Sequence, residues 1–130
     1  MRRSFQLPEE DEACLAACGR QWEAITDAGV KWLVFPDYLI PDAYNHQSVS
    51  AALRIPPSYP DDQIDMVYFF PHLALKNGRA IAALSDFQLD GKVYQQWSRH
   101  RTTNNPWRSG LDNVCTHLLQ VNNWLQRELR

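Results

Sequence analysis

The chain has few cysteines and no cluster of metal-ligating residues. Its 130 residues include only three cysteines, and an odd count is not typical of the disulfide framework of a secreted domain. Cys14 and Cys18 lie one helical turn apart, Cys115 is distant in sequence, and none of the four histidines is close to any of them in a metal-binding pattern. A structural zinc site needs about four ligands at local spacings. We therefore expect neither a metal nor another cofactor.

Long apolar runs and an excess of basic charge are also missing. No apolar run approaches the ~18 residues of a membrane-spanning helix. Acidic residues follow the basic start of the chain, where a signal peptide would have its apolar segment. The formal net charge is −2, whereas nucleic-acid binders usually present a net basic surface. These absences predict a soluble, cytoplasmic protein that binds neither nucleic acid nor membrane.

The residues that are present have the patterning of one folded domain with a helix at each end. Hydrophobic residues make up 45% of the chain, which is ordinary for a single-core domain spanning 1–130. The acidic run Glu9 to Glu12 predicts the first turn of a helix, and Gly19 predicts its end. Apolar residues between 111 and 129 recur at helical intervals and predict a closing amphipathic helix.

Turn sequences and apolar segments predict strands between the two helices. Three tight turns of β-hairpins are expected, at Asp27-Ala28-Gly29, Asn77-Gly78 and Asp90-Gly91. Pro36 and Pro41 bracket a predicted loop or edge segment, and residues 48–55 predict a strand. The pattern as a whole predicts an α+β fold, with an N-terminal helix, an antiparallel β-meander and a C-terminal helix.

Several motifs resemble those of ubiquitin-conjugating enzymes. Leu53 to Phe70 is similar to their third strand, the proline–tyrosine corner (here Ile55 to Pro60) and the fourth strand. The stretches Gln96 to His100 and Asn105 to Asp112, with Thr116 to Leu118, are similar to a divergent bacterial branch. On these motifs the chain is identified as a member of the prokaryotic conjugating-enzyme family E over about residues 5–129. The resemblance implies a ubiquitin-conjugating-enzyme-like fold, and a bacterial conjugation operon with antiphage defence as a possible setting.

The catalytic cysteine of ordinary conjugating enzymes is missing. Their His-Pro-Asn motif is replaced by Pro71 to Leu73, and the position of the cysteine is taken by Ala82 or Ala83. Thioester chemistry therefore does not carry over from the family to this chain. Cys115 is expected to pack in the core on the apolar face of the last helix, where burial raises a thiol pKa. Cys14 and Cys18 are expected to be small apolar residues of the first helix.

Ser98 and His100 form the preferred candidate site. In an extended segment the two residues share a face, about 6–7 Å apart at the backbone. The His100 imidazole could accept the Ser98 proton, which is the activation that an alcohol nucleophile needs. Arg99 could stabilise an oxyanion. In the other interpretation this stretch is structural, with Trp97 in the core and His100 bonded to the backbone or to an acidic residue such as Asp112.

Other hydroxyl and imidazole groups are weaker candidates. Ser85 is close in sequence to the lost cysteine position, but the neighbouring Asp86 is as easily a turn former as a base. His72 could replace the family's histidine, or it could only form a corner at a strand end.

A basic segment near the end of the chain is a candidate partner surface. Arg101, Trp107 and Arg108 are assigned to partner binding, because Trp and Arg are favoured in the central contacts of interfaces. In the alternative interpretation Trp107 packs the last helix against the sheet and the loop is simply solvated. The partners that the resemblance implies are a ubiquitin-like protein and an adenylating activating enzyme.

Three functional hypotheses follow. In the first, the protein is a noncanonical transferase that carries a ubiquitin-like modifier as an oxyester on Ser98, with His100 as base. In the second, it is a catalytically silent adaptor of the same fold that binds the modifier or its activating enzyme. A small hydrolase or nuclease using His100 and Asp112 is the third, and no metal-ligand set or nucleophile motif supports it.

Overall fold

The computed structural model describes all 130 residues and contains two helices and six strands. Their bounds are α1 Glu9–Ala17, β1 Glu23–Asp27, β2 Val30–Leu39, β3 Ser48–Ile55, β4 Val67–Phe70, β5 Leu84–Leu89, β6 Lys92–Trp97 and α2 Val114–Arg127. The strands form one antiparallel sheet in the order β1-β2-β3-β4-β6-β5. The predicted α+β fold is confirmed, and the element order is consistent with the conjugating-enzyme-like fold that the resemblance implies.

Two of the three predicted hairpins form. β1 pairs with β2 around Ala28 and Gly29, and β5 pairs with β6 around Asp90 and Gly91. All four turn residues have positive φ values, between 51° and 77°. This is the geometry of two-residue turns whose twist matches that of the flanking strands, and it explains the glycine at each second position.

The predicted hairpin at Asn77-Gly78 is wrong. These residues do form a turn, in which the Gly78 N–H donates to the Leu75 carbonyl at 3.0 Å. The flanking residues do not become paired strands, however, and β4 pairs with β6 instead. Leu73 and Leu75 are buried and anchor the connection to the core, so their apolar character reflects loop anchoring rather than strand pairing.

The segment after Pro36 also differs from the prediction. It was expected to be a loop or an edge segment, but β2 continues to Leu39 and pairs with β3. The register shifts between Phe35 and Tyr38, which accommodates a proline that has no N–H to donate. The sheet therefore tolerates Pro36 through a local irregularity.

Helix α2 and one face of the sheet form the main core. Trp97 on β6 and Trp124 on α2 are buried in the same cluster, as their positions on the apolar phase predict. Asn113 begins α2 with a capping box: its side chain accepts from the Thr116 N–H at 3.0 Å, and the Thr116 hydroxyl accepts from the Asn113 N–H at 2.9 Å. The helix is thus shorter than the predicted 111–129 stretch, because this cap fixes its first turn.

Helix α1 contributes few apolar side chains to the core and is held to α2 by specific contacts. Only Asp11 and Leu15 of its residues are buried. The Tyr59 hydroxyl donates to the Asp11 carboxylate and accepts from the Val114 N–H at 2.9 Å. The tyrosine of the proline–tyrosine corner therefore connects α1 with the first turn of α2.

The prediction for the three cysteines is confirmed in part: Cys14 and Cys115 are half-buried and pack against the main core, but they are not free thiols, and Cys18 does not pack. Cys14 and Cys115 form a disulfide with a Cα–Cα distance of 6.6 Å, and Cys18 is an exposed free thiol. None of the three is a buried, unpaired packing residue. The pairing joins positions 101 residues apart, which only the docking of α1 on α2 brings together.

Candidate functional site

Two amide side chains hold the connection after β4 in place. The Gln95 side chain accepts from the Leu73 N–H at 2.9 Å and donates to the Leu73 carbonyl at 3.0 Å. The Asn45 side chain accepts from the Ala74 N–H at 2.9 Å and donates to the His72 carbonyl at 3.3 Å. Both backbone polar groups of Leu73 are thereby satisfied beneath the surface, so the path of this segment is well defined.

The backbone of Ser98 lies beside Ala83, one of the two positions that the motif resemblance assigns to the cysteine. Ala82 and Ala83 are exposed and bear only methyl groups, and Ala83 has a φ of 58°. The Ser98 N–H donates to the Ala83 carbonyl at 3.1 Å. This hydrogen bond joins the backbones of Ser98 and Ala83, while the Ser98 hydroxyl makes its own contact with Gln96.

The structure gives Ser98 and His100 different hydrogen-bond partners. Ser98 Oγ accepts from the Gln96 side-chain amide at 3.4 Å. His100 Nδ1 lies 2.8 Å from Asp65 Oδ2, and its side chain is 61% exposed. No hydrogen bond joins Ser98 to His100 in this state, although His100 Nε2 has no protein partner. The catalytic roles of Ser98 and His100 stay predictions.

The acidic partner of His100 is Asp65, and the expectation of Asp112 was wrong. Asp112 instead accepts from the Arg108 N–H at 2.7 Å, and its carboxylate lies 3.9 Å from Arg101 Nη1. Burial opposes ionisation of Asp112, but the Arg108 N–H and the neighbouring arginines hold its pKa below the usual range. The structure therefore does not bring His100 and Asp112 together as the hydrolase hypothesis requires.

Met66, the neighbour of Asp65, has an unusual backbone conformation that two hydrogen bonds hold in place. Its φ is 58°, a left-handed geometry that disfavours a side chain with a Cβ by about 1–2 kcal/mol. The Met66 N–H donates to the Arg99 carbonyl at 3.2 Å. On its other side the Met66 carbonyl accepts from His117 Nε2 at 2.9 Å. Met66 is thus held on one side by the loop that contains Arg99 and on the other side by helix α2.

His117 is a neutral buried imidazole. It is fully buried and packs edge-on against Trp124, with ring centroids 5.5 Å apart. Its second nitrogen, Nδ1, has no hydrogen-bond partner. Burial lowers the pKa of His117 to about 4, and the positive charge of Arg101 acts in the same direction. The proton-accepting nitrogen is therefore sealed inside the protein.

Arg99 and Arg101 both turn toward the protein. Arg99 Nη2 lies 3.1 Å from Glu128 Oε1 on α2, and its Nη1 donates to the Ser98 carbonyl at 3.2 Å. The Arg101 side chain is 5% exposed and lies over the Trp107 ring at 5.1 Å. Arg101 is thus too buried in this structure to contact a partner directly. Its guanidinium packs against the Trp107 ring instead.

Trp107 and Arg108 remain the outward part of the predicted partner surface. Trp107 is half-buried and its Nε1 donates to the Pro60 carbonyl at 2.9 Å. The Arg108 side chain is 63% exposed. Partner binding by these residues stays a prediction.

Two of the weaker candidates, His72 and Asp86, form an exposed pair with each other rather than with Ser98. His72 Nε2 lies 2.7 Å from Asp86 Oδ1, and both side chains are exposed. Asp86 belongs to β5 rather than to a turn. Because adjacent strand residues face opposite sides of a sheet, Ser85 points away from this pair. The geometry does not support Ser85 with Asp86 as a nucleophile and its base.

Asp65, Gln95 and Asn45 were not identified from the sequence. Gln95 alternates with Trp97 on the buried phase of β6, so a buried amide with a positioning role could have been inferred. No local pattern marks Asp65, which is 35 residues from His100 in sequence. Likewise, nothing in the spacing of Asn45 relates it to the connection after β4.

The comparisons with known proteins give one match. The model of prokaryotic E2 family E matches residues 7–128. Searches of curated proteins and of solved structures find no match. No helix has the length and apolar character needed to cross a membrane, and no group of three or more His, Cys, Asp or Glu side chains is placed to hold a metal ion.

The family match covers nearly the whole chain and every strand and helix described above. An E2-like family implies, in general terms, a ubiquitin-like protein and an activating enzyme as partners. The protein belongs to prokaryotic E2 family E and has an E2-like role in prokaryotic conjugation.

Proposed function

We propose that this protein is a cytoplasmic transferase that carries a ubiquitin-like modifier as an oxyester on Ser98. The observation that carries the proposal is the 3.1 Å hydrogen bond from the Ser98 N–H to the Ala83 carbonyl. It joins the backbone of Ser98 to Ala83, one of the two positions that the motif resemblance assigns to the cysteine, and this supports Ser98 as the replacement nucleophile. Family membership supplies the reaction class, acyl transfer of a modifier's C-terminus.

The reaction is an ordinary acyl transfer. Ser98 Oγ attacks the C-terminal carbonyl of the modifier, which the activating enzyme has made reactive. A carbon–oxygen bond to Ser98 forms, the bond to the activating enzyme's leaving group breaks, and the hydroxyl proton passes to His100 Nε2. An acceptor amine then attacks the oxyester: a carbon–nitrogen bond forms and the carbon–oxygen bond to Ser98 breaks. The proton held on His100 passes to Ser98 Oγ, and His100 takes up the proton that the amine gives up.

Two features of the free protein fit this sequence of steps. Ser98 Oγ is held only by a long hydrogen bond from Gln96, and His100 Nε2 has no protein partner. Catalytic hydrogen bonds are often absent in a free enzyme and form in the substrate complex. Arg99 acts here as a positioning residue, because its guanidinium contacts the Ser98 carbonyl and Glu128.

The test is to trap the intermediate. The protein is mixed with ATP and with the ubiquitin-like protein and activating enzyme of its operon, and adducts are measured by intact mass. The proposal expects an adduct that survives thiol reductant, is cleaved by hydroxylamine and is absent from Ser98→Ala. Ser85→Ala is the matched control, since Ser85 is an exposed serine on the neighbouring strand. A reductant-labile adduct would contradict the proposal.

The second candidate function is a silent adaptor. It is favoured by the separate hydrogen-bond partners of Ser98 and His100 and by the missing cysteine. An adaptor would bind the modifier or the activating enzyme through an exposed surface such as that of Trp107 and Arg108. Conjugation that is unchanged in Ser98→Ala and His100→Ala but lost in Arg108→Glu would identify the protein as an adaptor.

A further inference from the structure

We propose that Asp65 is the positioning residue for His100, so that Ser98, His100 and Asp65 act together in the transfer reaction. The inference rests on the proposed function. Asp65 Oδ2 lies 2.8 Å from His100 Nδ1. That distance is typical of a charge-assisted hydrogen bond between a carboxylate and a ring N–H.

The hydrogen bond determines which nitrogen of His100 can act as a base. A carboxylate only accepts hydrogen bonds, so the proton of neutral His100 is held on Nδ1. The lone pair is then on Nε2, which has no partner in the protein. A neighbouring carboxylate also stabilises the imidazolium that forms when the base takes a proton. Both effects favour proton transfer from Ser98 to His100 Nε2.

The position of Asp65 is fixed by its neighbour Met66. The left-handed backbone of Met66 is held by the Arg99 carbonyl on one side and by buried His117 on the other. The first of these contacts links Asp65 to the same loop that contains Ser98 and His100. Unfavourable backbone conformations that are held in this way are concentrated at functional sites.

The second oxygen of Asp65 makes no competing hydrogen bond. Oδ1 is buried and has no hydrogen-bond partner, and the same is true of Nε and Nη2 of Arg101 and Nδ1 of His117. Unsatisfied buried polar atoms are rare in native proteins and require an explanation. The hydrogen bond with His100 is therefore the one that the Asp65 side chain makes in this structure.

The experiment compares Asp65→Asn with Asp62→Asn, a matched control that removes the same charge from an exposed residue of the same loop. The readout is the rate of the hydroxylamine-labile adduct in the trapping assay. Substitution of the aspartate in a buried serine-protease triad slows the reaction about 10⁴-fold. Since His100 is largely exposed, we expect a smaller effect of about 10²-fold for Asp65→Asn and none for Asp62→Asn.

Two further measurements separate positioning from a general structural role. In the His100→Ala background, Asp65→Asn should cause no additional loss of rate, because its effect acts through His100. In ¹⁵N spectra of the histidine-labelled protein alone, the neutral His100 ring should carry its proton on Nδ1 in the wild type, and this tautomer should be lost in Asp65→Ala.

The outcomes distinguish the inference from the proposed function. A Ser98-dependent adduct that forms at the same rate in Asp65→Asn and the wild type would overturn the role of Asp65 alone. An equal rate loss from Asp65→Asn with and without His100 would do the same. Absence of any adduct on wild-type protein, with the activating enzyme loaded, would overturn the proposed function and the role of Asp65 with it.

Discussion

Replacement of His117 by glutamine should remove much of the acid sensitivity of the fold. The wild-type imidazole is fully buried, and its Nε2 donates to the Met66 carbonyl. The amide of His117→Gln can donate the same hydrogen bond but does not titrate. Protonation of wild-type His117 would place a second N–H at Nδ1, which has no hydrogen-bond partner, and would bring a positive charge close to Arg101.

The magnitude follows from the pKa of His117. Burial lowers it from the ordinary value of 6.5 to about 4. A group whose pKa is depressed in the folded state contributes stability that is fully present above its unfolded pKa and is lost as the pH falls toward the folded pKa. At about 1.4 kcal/mol per pKa unit, the contribution of His117 amounts to about 3 kcal/mol. About 2.5 kcal/mol of it is lost between pH 8 and pH 4.5.

The assay is urea unfolding followed by tryptophan fluorescence at pH 7.5, 6, 5 and 4.5. The free energy of unfolding of the wild type should fall by about 2.5 kcal/mol more than that of His117→Gln over this range. The other three histidines are present in both proteins, so their contribution cancels in the comparison. Equal slopes for the two proteins, or a difference below about 1 kcal/mol, would refute the argument that His117 is kept neutral by burial.

Three further predictions concern stability and are each tested by urea unfolding. Trp97→Ala should lower the free energy of unfolding by about 3–5 kcal/mol, because the indole is buried in the main core; a loss below about 1 kcal/mol would contradict this. Tyr59→Phe should lower it by about 2–4 kcal/mol, because the Asp11 carboxylate loses its donor and the Val114 N–H loses its acceptor. Reduction of the disulfide between Cys14 and Cys115 should lower it by about 2–4 kcal/mol, because the bond closes a long loop in the unfolded chain.

Each of these predictions has a matched control. Val93→Ala changes an exposed residue of the same strand as Trp97 and should have an effect below about 1 kcal/mol. Tyr68→Phe removes a hydroxyl that makes no hydrogen bond in the structure, so it should be milder than Tyr59→Phe. The effect of reductant should persist in Cys18→Ser and disappear when Cys14 is replaced by serine. A reductant effect that is unchanged without Cys14 would contradict the disulfide assignment.

The local elements were predictable because they depend on neighbouring residues. The acidic first turn of α1, the Asp90-Gly91 turn and the apolar phase of Trp97 and Trp124 all act within a few residues along the chain. The error at Asn77-Gly78 has the same origin. The dipeptide does form a turn, but whether its flanking segments pair depends on the distant strands that compete for β4.

The candidate site was predictable only in part. Motif resemblance and residue chemistry led to the prediction of Ser98 and His100, and that prediction is still untested. The orientation of the arginines was not predictable, because a run of exposed-looking charges does not show which side chains pair inward. Arg101 turns inward between Trp107 and Asp112, while Arg108 faces solvent.

The amino-acid order was sufficient to predict the α+β fold and the family, and the structure and the family match confirm both. Those features depend on short stretches of sequence, on the periodicity of apolar residues and on the residues that favour turns. Only the folded chain placed Ser98 beside Ala83, paired His100 with Asp65 and joined Cys14 to Cys115. Each of these contacts brings together residues from different elements, and their approach depends on sheet order and helix docking, which no local pattern encodes.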